Sequence, residues 1–350
     1  MIYILTVYDS LNYGSYLQAI ALQSELEQYD TVAFLDIDHQ STLKQCLKKV
    51  AGHLVKRRFK GIGFELKKWN IFRICTHRLP VVHMNHLPKN DKDIYIFGSD
   101  EIWNISRKKF LKSPEFWGIG LKKGRYISYA PSINTATLEQ YNKHSELIDA
   151  LKKFDCLSVR DDYSKDVLNN ILHRQIAVVC DPTFLFGIQR FKRIEKKANE
   201  KEPYLLIYTY GKMCRTSEQS MYIQKVARKQ GWKIISAGKY LKWADKSVNT
   251  TPEGFLGYVD GAQYIITDTF HGTVFSILYR KNFIAVNPAE KIKDLINRFG
   301  LNVCVISDVS QLETHINQET DYSKVDNIQC NYVTYSREYL KGAIKKAERI

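Results

Sequence analysis

Short runs of β-branched and aromatic residues recur along the chain, separated by longer stretches with apolar residues three or four positions apart. The first pattern reads as buried strands and the second as amphipathic helices. Expected strands are Ile2–Tyr8, Val32–Ile37, Ile94–Phe97, Tyr126–Ala130 and Leu157–Arg160. A second series comprises Ala177–Cys180, Tyr204–Tyr210, Lys233–Ser236, Tyr264–Thr267, Phe283–Val286 and Val303–Ile306. Expected helices are Tyr16–Leu26, Leu138–Phe154, Ser217–Gln230 and Ile292–Phe299. Strands alternating with helices imply parallel sheets built from right-handed crossovers.

The segment Gly187–Pro203 breaks the alternation, being dense in Arg, Lys and Glu and closing on a proline, as an inter-domain linker does. It predicts an N-terminal α/β domain over 1–186 and a C-terminal α/β domain over 204–334. A basic helix in 335–350 would pack back on the first. The expected fold class is α/β, with two doubly wound Rossmann-like domains facing a cleft in a glycosyltransferase-B-like arrangement. At 350 residues the chain exceeds what one core usually supports.

Composition then narrows the class. With 44% hydrophobic and 25% charged residues the chain is neither a disordered tail nor a fibre. No apolar run approaches the length of a membrane span, and the N-terminal MIYILTVYDS lacks the basic n-region of a signal peptide. The seven cysteines are scattered, with no C-x-x-C and no zinc-type Cys/His spacing. These features predict a cytoplasmic protein, peripheral at the inner face of the plasma membrane if it touches one, with no metal.

Charge adds a partner. The net charge is +15, and between Leu43 and Arg78 eleven Lys or Arg residues face a single acid, Glu65. Phe59, Phe64, Trp69, Ile71 and Phe72 interleave with them. One reading is a solvated helical face. The other is a surface for an anionic membrane or a diphosphate-linked substrate. No nucleic-acid signature is present, so nucleic acid is not expected as a partner.

Four segments at strand ends carry candidate chemistry. Asn12-Tyr13-Gly14-Ser15 follows the first strand and opens a helix. It would either hold an anion on backbone N–H groups or cap the helix, with Gly14 in an unusual φ and Ser15 supplying the cap oxygen. In Gly98-Ser99-Asp100-Glu101-Ile102-Trp103, Asp100 and Glu101 suit a carboxylate beside a sugar hydroxyl and Trp103 a face for a pyranose. The alternative is a capping Asp100 and a core Trp103. Arg160 ends a strand and can pair bidentately with phosphate or carboxylate, or with its neighbour Asp161. Asp181-Pro182 reads first as a turn at the domain junction. In Thr267-Asp268-Thr269-Phe270-His271-Gly272 a buried strand runs into a helix whose N-terminus carries His271, while Gly272 would admit a ligand to the backbone.

Taken in order, these segments resemble the polysaccharide pyruvyl transferase family. They are an N-x-G turn after the first strand, GSD-x-x-W, Ser128-Tyr129-Ala130-Pro131-Ser132, S-V-R-D at Ser158–Asp161, D-P-T at Asp181–Thr183, and T-D-x-x-H-G at Thr267–Gly272. The resemblance spans residues 1–300 and is closest to the form found in bacterial capsule and exopolysaccharide clusters. It implies transfer of pyruvate from phosphoenolpyruvate, as a ketal, onto two hydroxyls of a lipid-linked or nucleotide-linked glycan, without a cofactor. The family's donor-site Arg and His correspond to Arg160 and His271. Many members carry Arg where this chain has Thr269, which leaves one anion contact to another residue. His271 would be the general acid, with Asp100 or Glu101 as base, and Asn12, Gly14, Ser15, Trp103, Thr269 and Gly272 would line the substrate. A nucleotide-sugar glycosyltransferase, with Glu253 on the ribose, and a non-catalytic sugar- or anion-binding protein are the rival readings.

Overall fold

The structure, a computed structural model, describes residues 1–37, 42–87, 92–211 and 213–349. Ile350, the last residue of the expected C-terminal segment, lies outside them. Thirteen strands are present among the described residues: β1 (Ile2–Leu5), β2 (Val32–Asp36), β3 (Val81–His83), β4 (Ile94–Phe97), β5 (Arg125–Ser128), β6 (Ser158–Val159), β7 (Ala177–Val178), β8 (Tyr204–Tyr208), β9 (Lys233–Ala237), β10 (Lys246–Val248), β11 (Tyr264–Thr267), β12 (Phe283–Val286) and β13 (Val305–Ile306). One sheet runs β3-β2-β1-β4-β5, a second β10-β9-β8-β11-β12-β13, and β6 and β7 form a short ladder of their own. Every ladder is parallel, as the alternation requires.

The central strands β1, β4, β8, β11 and β12 are buried along their whole length, which is why each reads as an unbroken apolar run. The edge strands β3 and β10 carry no such run and escape detection from periodicity. Strand order reverses between β1 and β4 and again between β8 and β11. At such a switch point adjacent crossovers leave on opposite faces and open a crevice beyond the strands' carboxyl ends. All four candidate motifs at β1, β4, β6 and β11 therefore leave their strands at carboxyl edges, where ligands bind.

The two domains are joined by more than a linker. Tyr13, on the first helix (Tyr13–Leu26), stacks on Phe255 of the second domain at 4.7 Å between centroids, and Tyr208 packs beside both. The expected linker begins later than its charge suggests. Residues as far as Ile194 belong to a helix, Pro182–Ile194, kinked at Gly187 where φ is +72°. Its charges lie on one face while Phe191 is wholly buried; only the stretch from Glu195 to Pro203 is extended connection. The expected helix Leu138–Phe154 divides into Leu138–Tyr141 and Ser145–Lys152.

The C-terminal helix, Val325–Arg349, is longer than expected and does return to the first domain. Ser336 accepts from the Cys180 N–H at 2.9 Å, the Tyr332 hydroxyl donates to the Val179 carbonyl, and Arg337 pairs with the buried Glu25 at 3.0 Å. No described helix is long and apolar enough to cross a membrane.

Candidate active site

The turn after β1 is closed by Asn12, not Ser15. Asn12 Oδ1 accepts from the Gly14 N–H at 2.9 Å, and this caps the helix. Asn12 also bridges the domains: its Oδ1 accepts from the Tyr208 hydroxyl and its Nδ2 donates to the Tyr210 hydroxyl, both at 2.7 Å. Ser15, one turn into the helix, donates instead to Asp100 at 2.7 Å. Gly14 keeps an ordinary helical backbone. Its lack of a side chain is demanded by His271, whose ring carbon Cγ lies 2.2 Å from where a Cβ would stand. The small-residue turn of the first domain thus exists to seat the histidine of the second.

Gly14→Ala should therefore force the imidazole aside, at about 1–3 kcal/mol in stability, the usual cost of overpacking. His271→Ala in the same chain should recover most of that loss, because the obstructing ring is gone. A double-mutant cycle by denaturant unfolding measures this coupling. Additive losses would show that the two residues do not press on each other.

His271 lies in the first turn of the helix Phe270–Leu278, capped by Thr269, whose hydroxyl accepts from the Gly272 N–H at 3.0 Å. Its Nε2 is 3.6 Å from Asp181 Oδ2. Asp181 begins the Pro182–Ile194 helix and also accepts from Ser99 at 3.2 Å and from the Thr183 hydroxyl at 2.7 Å. Arg160 completes the group. Its side chain is 1% exposed, with Nη1 3.3 Å from Asp181, Nη2 3.7 Å from Asp100, and its plane 4.3 Å over Phe270. Its Nε finds no acceptor among the described residues.

The electrostatics follow from this crowding. Burial alone would raise the Asp181 carboxyl, but His271 and Arg160 outweigh it and hold it well below the usual carboxylate value. Burial is likewise overcome at Asp100, which Arg160, His271 and the Ser15 hydroxyl keep low. Both acids are ionised at neutral pH. Arg160, although desolvated, is pushed up by Asp100 and Asp181.

Above this cluster lies a cavity of about 550 Å³ between the domains. Asn12, Ser15, Asp100 and Glu101 line it from the first domain, and Tyr208, Thr209, Tyr210, Gly238 and Lys239 from the second. Its walls are cationic: Lys49, Lys56, Arg58, Lys68, Arg107, Lys109 and Lys239 outnumber Glu65, Asp100 and Glu101. Lys68 crosses the domain boundary to donate to the Gly238 carbonyl at 2.6 Å. Burial, with Lys49 nearby, brings its ammonium down to about 7. Arg160 and His271 are not among the residues that line the cavity; they reach it through Asp100, 3.7 Å from Arg160 Nη2, and through the Gly14 turn against which His271 packs.

Several expected site residues are elsewhere. Trp103 is 0% exposed, its indole N–H donating to the Phe116 carbonyl at 2.9 Å and its ring stacked near Trp117, so it is core and offers no face to a sugar. Thr269 is a buried cap. Gly272 leaves no room for a ligand either, since a Cβ there would stand 2.1 Å from the Thr267 hydroxyl. Glu101 reaches the cavity but is bound by Lys291 and Arg107, the latter at 3.4 Å. Against burial, these cations hold its carboxyl well below the ordinary value. Asp161 does not pair with Arg160; it caps the helix Asp162–Leu172.

Asp181 is the member of the cluster that local reading passed over, because Asp-Pro is a common helix start and nothing nearby in sequence marks its partners. Lys291 occupies the neighbourhood left without a cation by Thr269, its ammonium 5.8 Å from the Phe270 ring. Glu253 is not among the cavity-lining residues.

The ties among the remaining motifs are equally specific. Ser128 and Ser158 exchange hydroxyl–carbonyl bonds at 2.9 and 2.7 Å, fastening β5 to β6, and the Arg160 N–H donates to the Pro131 carbonyl at 3.2 Å. Asp100, Arg160, Asp181 and His271, from four of the motifs, thus meet in one cluster. A sequence profile for polysaccharide pyruvyl transferases matches residues 12–290, which hold all of them. The chain belongs to that family.

No curated protein sequence matches the chain significantly. Among solved structures, the apo form of OtsA aligns with a TM-score of 0.51 at 10% identity, covering 98% of each chain. The UDP-GlcNAc 2-epimerase of Methanocaldococcus jannaschii, solved with UDP-GlcNAc and UDP, aligns with 0.52 at 11%, over 95% of this chain and 99% of its own. That of Neisseria meningitidis, bound to UDP-GlcNAc, aligns with 0.51 at 11%, over 99% of both. At such identities the likeness is one of fold: two Rossmann-like domains in the glycosyltransferase-B arrangement. The pyruvyl transferase thus has its cavity in the crevice that this architecture opens.

Proposed function

We propose that this transferase moves pyruvate from phosphoenolpyruvate onto two hydroxyls of a sugar in a cell-surface polysaccharide precursor, forming a cyclic ketal. The observation that carries the reading is the buried Arg160, with an unengaged Nε, which shares Asp181 with His271 and pairs with Asp100 in the lining of a cation-rich cavity. A small polyanion needs such a place: cations for its phosphate and carboxylate, and a proton donor beside its methylene carbon.

In the proposed sequence His271 gives a proton to the methylene carbon, which leaves an oxocarbenium-like centre at the adjoining carbon. A sugar hydroxyl attacks that centre and loses its proton to Asp100, which faces the cavity ionised. Phosphate departs with the C–O bond electrons, and the second hydroxyl closes the ring. One hydroxyl proton balances the new methyl group and the other leaves with the phosphate. No step calls for a cofactor. Ser15 orients Asp100, and Lys109, Lys239 and Lys68 receive the departing phosphate. The acceptor is a lipid-linked or nucleotide-linked glycan held on the Tyr208–Tyr210 side.

Phosphoenolpyruvate should raise the unfolding temperature, stabilising the protein by about 2.7 kcal/mol at a hundred times its Kd. A product heavier by pyruvate less water, with phosphate released, completes the test on a candidate glycan. Stabilisation by a UDP-sugar and none by phosphoenolpyruvate would replace the reading with nucleotide-sugar glycosyl transfer.

A further inference from the structure

The basic segment folds as two helices, Thr42–Val55 and Phe59–Thr76, packed as a hairpin against the first domain. Cys46, Phe64 and Phe72 face inward, as an amphipathic pair should. The outward faces are not wholly polar. Leu43, Leu47 and Leu54, spaced to share one side of the first helix, are all exposed, and Lys44 and Lys48 flank them. On the second helix Phe59, Leu66 and Ile74 form a similar exposed line beside Lys60, Lys67 and Arg73. The connection between them, Val55-Lys56-Arg57-Arg58-Phe59, leaves Val55 85% and Phe59 73% exposed.

We propose that this hairpin docks the protein on an anionic lipid bilayer. Water solvates a charged face well but not a row of bare leucines, and a soluble protein seldom leaves such a row uncovered. Apolar residues framed by cations match an interface where acyl chains lie below acidic headgroups. The charge is one-sided, because Glu65, the segment's only acid, is buried and pairs with Lys49 at 3.3 Å. A second protein copy would meet the same positive charge and be repelled. The hairpin also contributes Lys49, Lys56, Arg58 and Lys68 to the cavity, so docking would bring the cavity mouth to the headgroups. This inference is independent of the donor's identity.

The test is sedimentation of the full chain with vesicles of phosphatidylcholine alone or mixed with phosphatidylglycerol. Binding to the mixed vesicles only, falling steeply with salt, is expected. Arg57→Gln with Lys48→Gln and Lys60→Gln, all away from the cavity lining, should lower partitioning by about a hundredfold. Leu54→Ser with Val55→Ser and Phe59→Ser should lower it by about tenfold or more at unchanged charge. All six positions are exposed, and unfolding curves check that the variants fold. No binding at low salt overturns the proposal. So does binding that ignores the serine variant, which would be generic charge attraction, or a dimer in solution that the serine variant dissolves.

Discussion

His271→Gln should leave donor affinity within about 1 kcal/mol while turnover falls by about 10²–10⁴, the range for losing a general acid. Glutamine can donate a hydrogen bond from nearly the same place but has no proton to give at neutral pH. The imidazole's surroundings make this a clean substitution. His271 is held by contact with Gly14 and by Asp181 at 3.6 Å, and neither demands a particular ring nitrogen at hydrogen-bond length. Isothermal titration with phosphoenolpyruvate and single-turnover phosphate release separate binding from chemistry. Equal loss of both would make His271 a positioning group, with the proton coming from elsewhere. Loss of neither would move the donor site away from His271.

Arg160→Ala should have a double effect. Stability should fall by about 3–5 kcal/mol, because the buried Asp181 and the half-buried Asp100 are left without their shared cation. The sign of the pH dependence follows from their depressed folded values. In the native protein these carboxylates contribute stability that is present above the unfolded value near 4 and is lost as pH falls through the lower folded values. The stranded acids of the variant take up protons more readily, so the gap between the two proteins should narrow as pH is lowered toward about 4. Adding Asp181→Asn to Arg160→Ala should restore part of the stability. Donor affinity should drop by about 2–4 kcal/mol in the alanine variant and recover only in part with Arg160→Lys, which lacks the planar fork. Donor affinity unchanged in both variants would confine Arg160 to a structural role.

The local order of the chain is open to reading. Buried parallel strands announce themselves as β-branched runs, so the central strands of both sheets are legible in the residues alone. The turn Thr267–Gly272 also places His271 correctly in the first turn of a helix, since strand, cap and helix start all lie within a few residues. The same reasoning fails for Trp103, Thr269 and Gly272. Each stands within a few residues of the Asp100–Arg160–His271 cluster's members, but the side chain of one turns into the core, the second caps a helix, and the third admits close packing. Neighbourhood in sequence says that a residue is at a sheet's edge. It does not say which way the side chain leaves the backbone.

By itself the sequence determined the α/β alternation, the basic run between Leu43 and Arg78, the family and the place of its motifs at strand ends. These follow from periodicity and short-range turn chemistry. Only the tertiary structure decided which charges meet. Ser15 reaches Asp100 across 85 residues, Ser99 reaches Asp181 across 82, and Lys291 engages Glu101 across 190. Such pairings depend on where two strand-order reversals bring loops together, and no local pattern encodes that distance. The demand on Gly14 belongs to the same class: it arises from the imidazole of a residue in the other domain, pressed against the helix whose first turn holds Gly14.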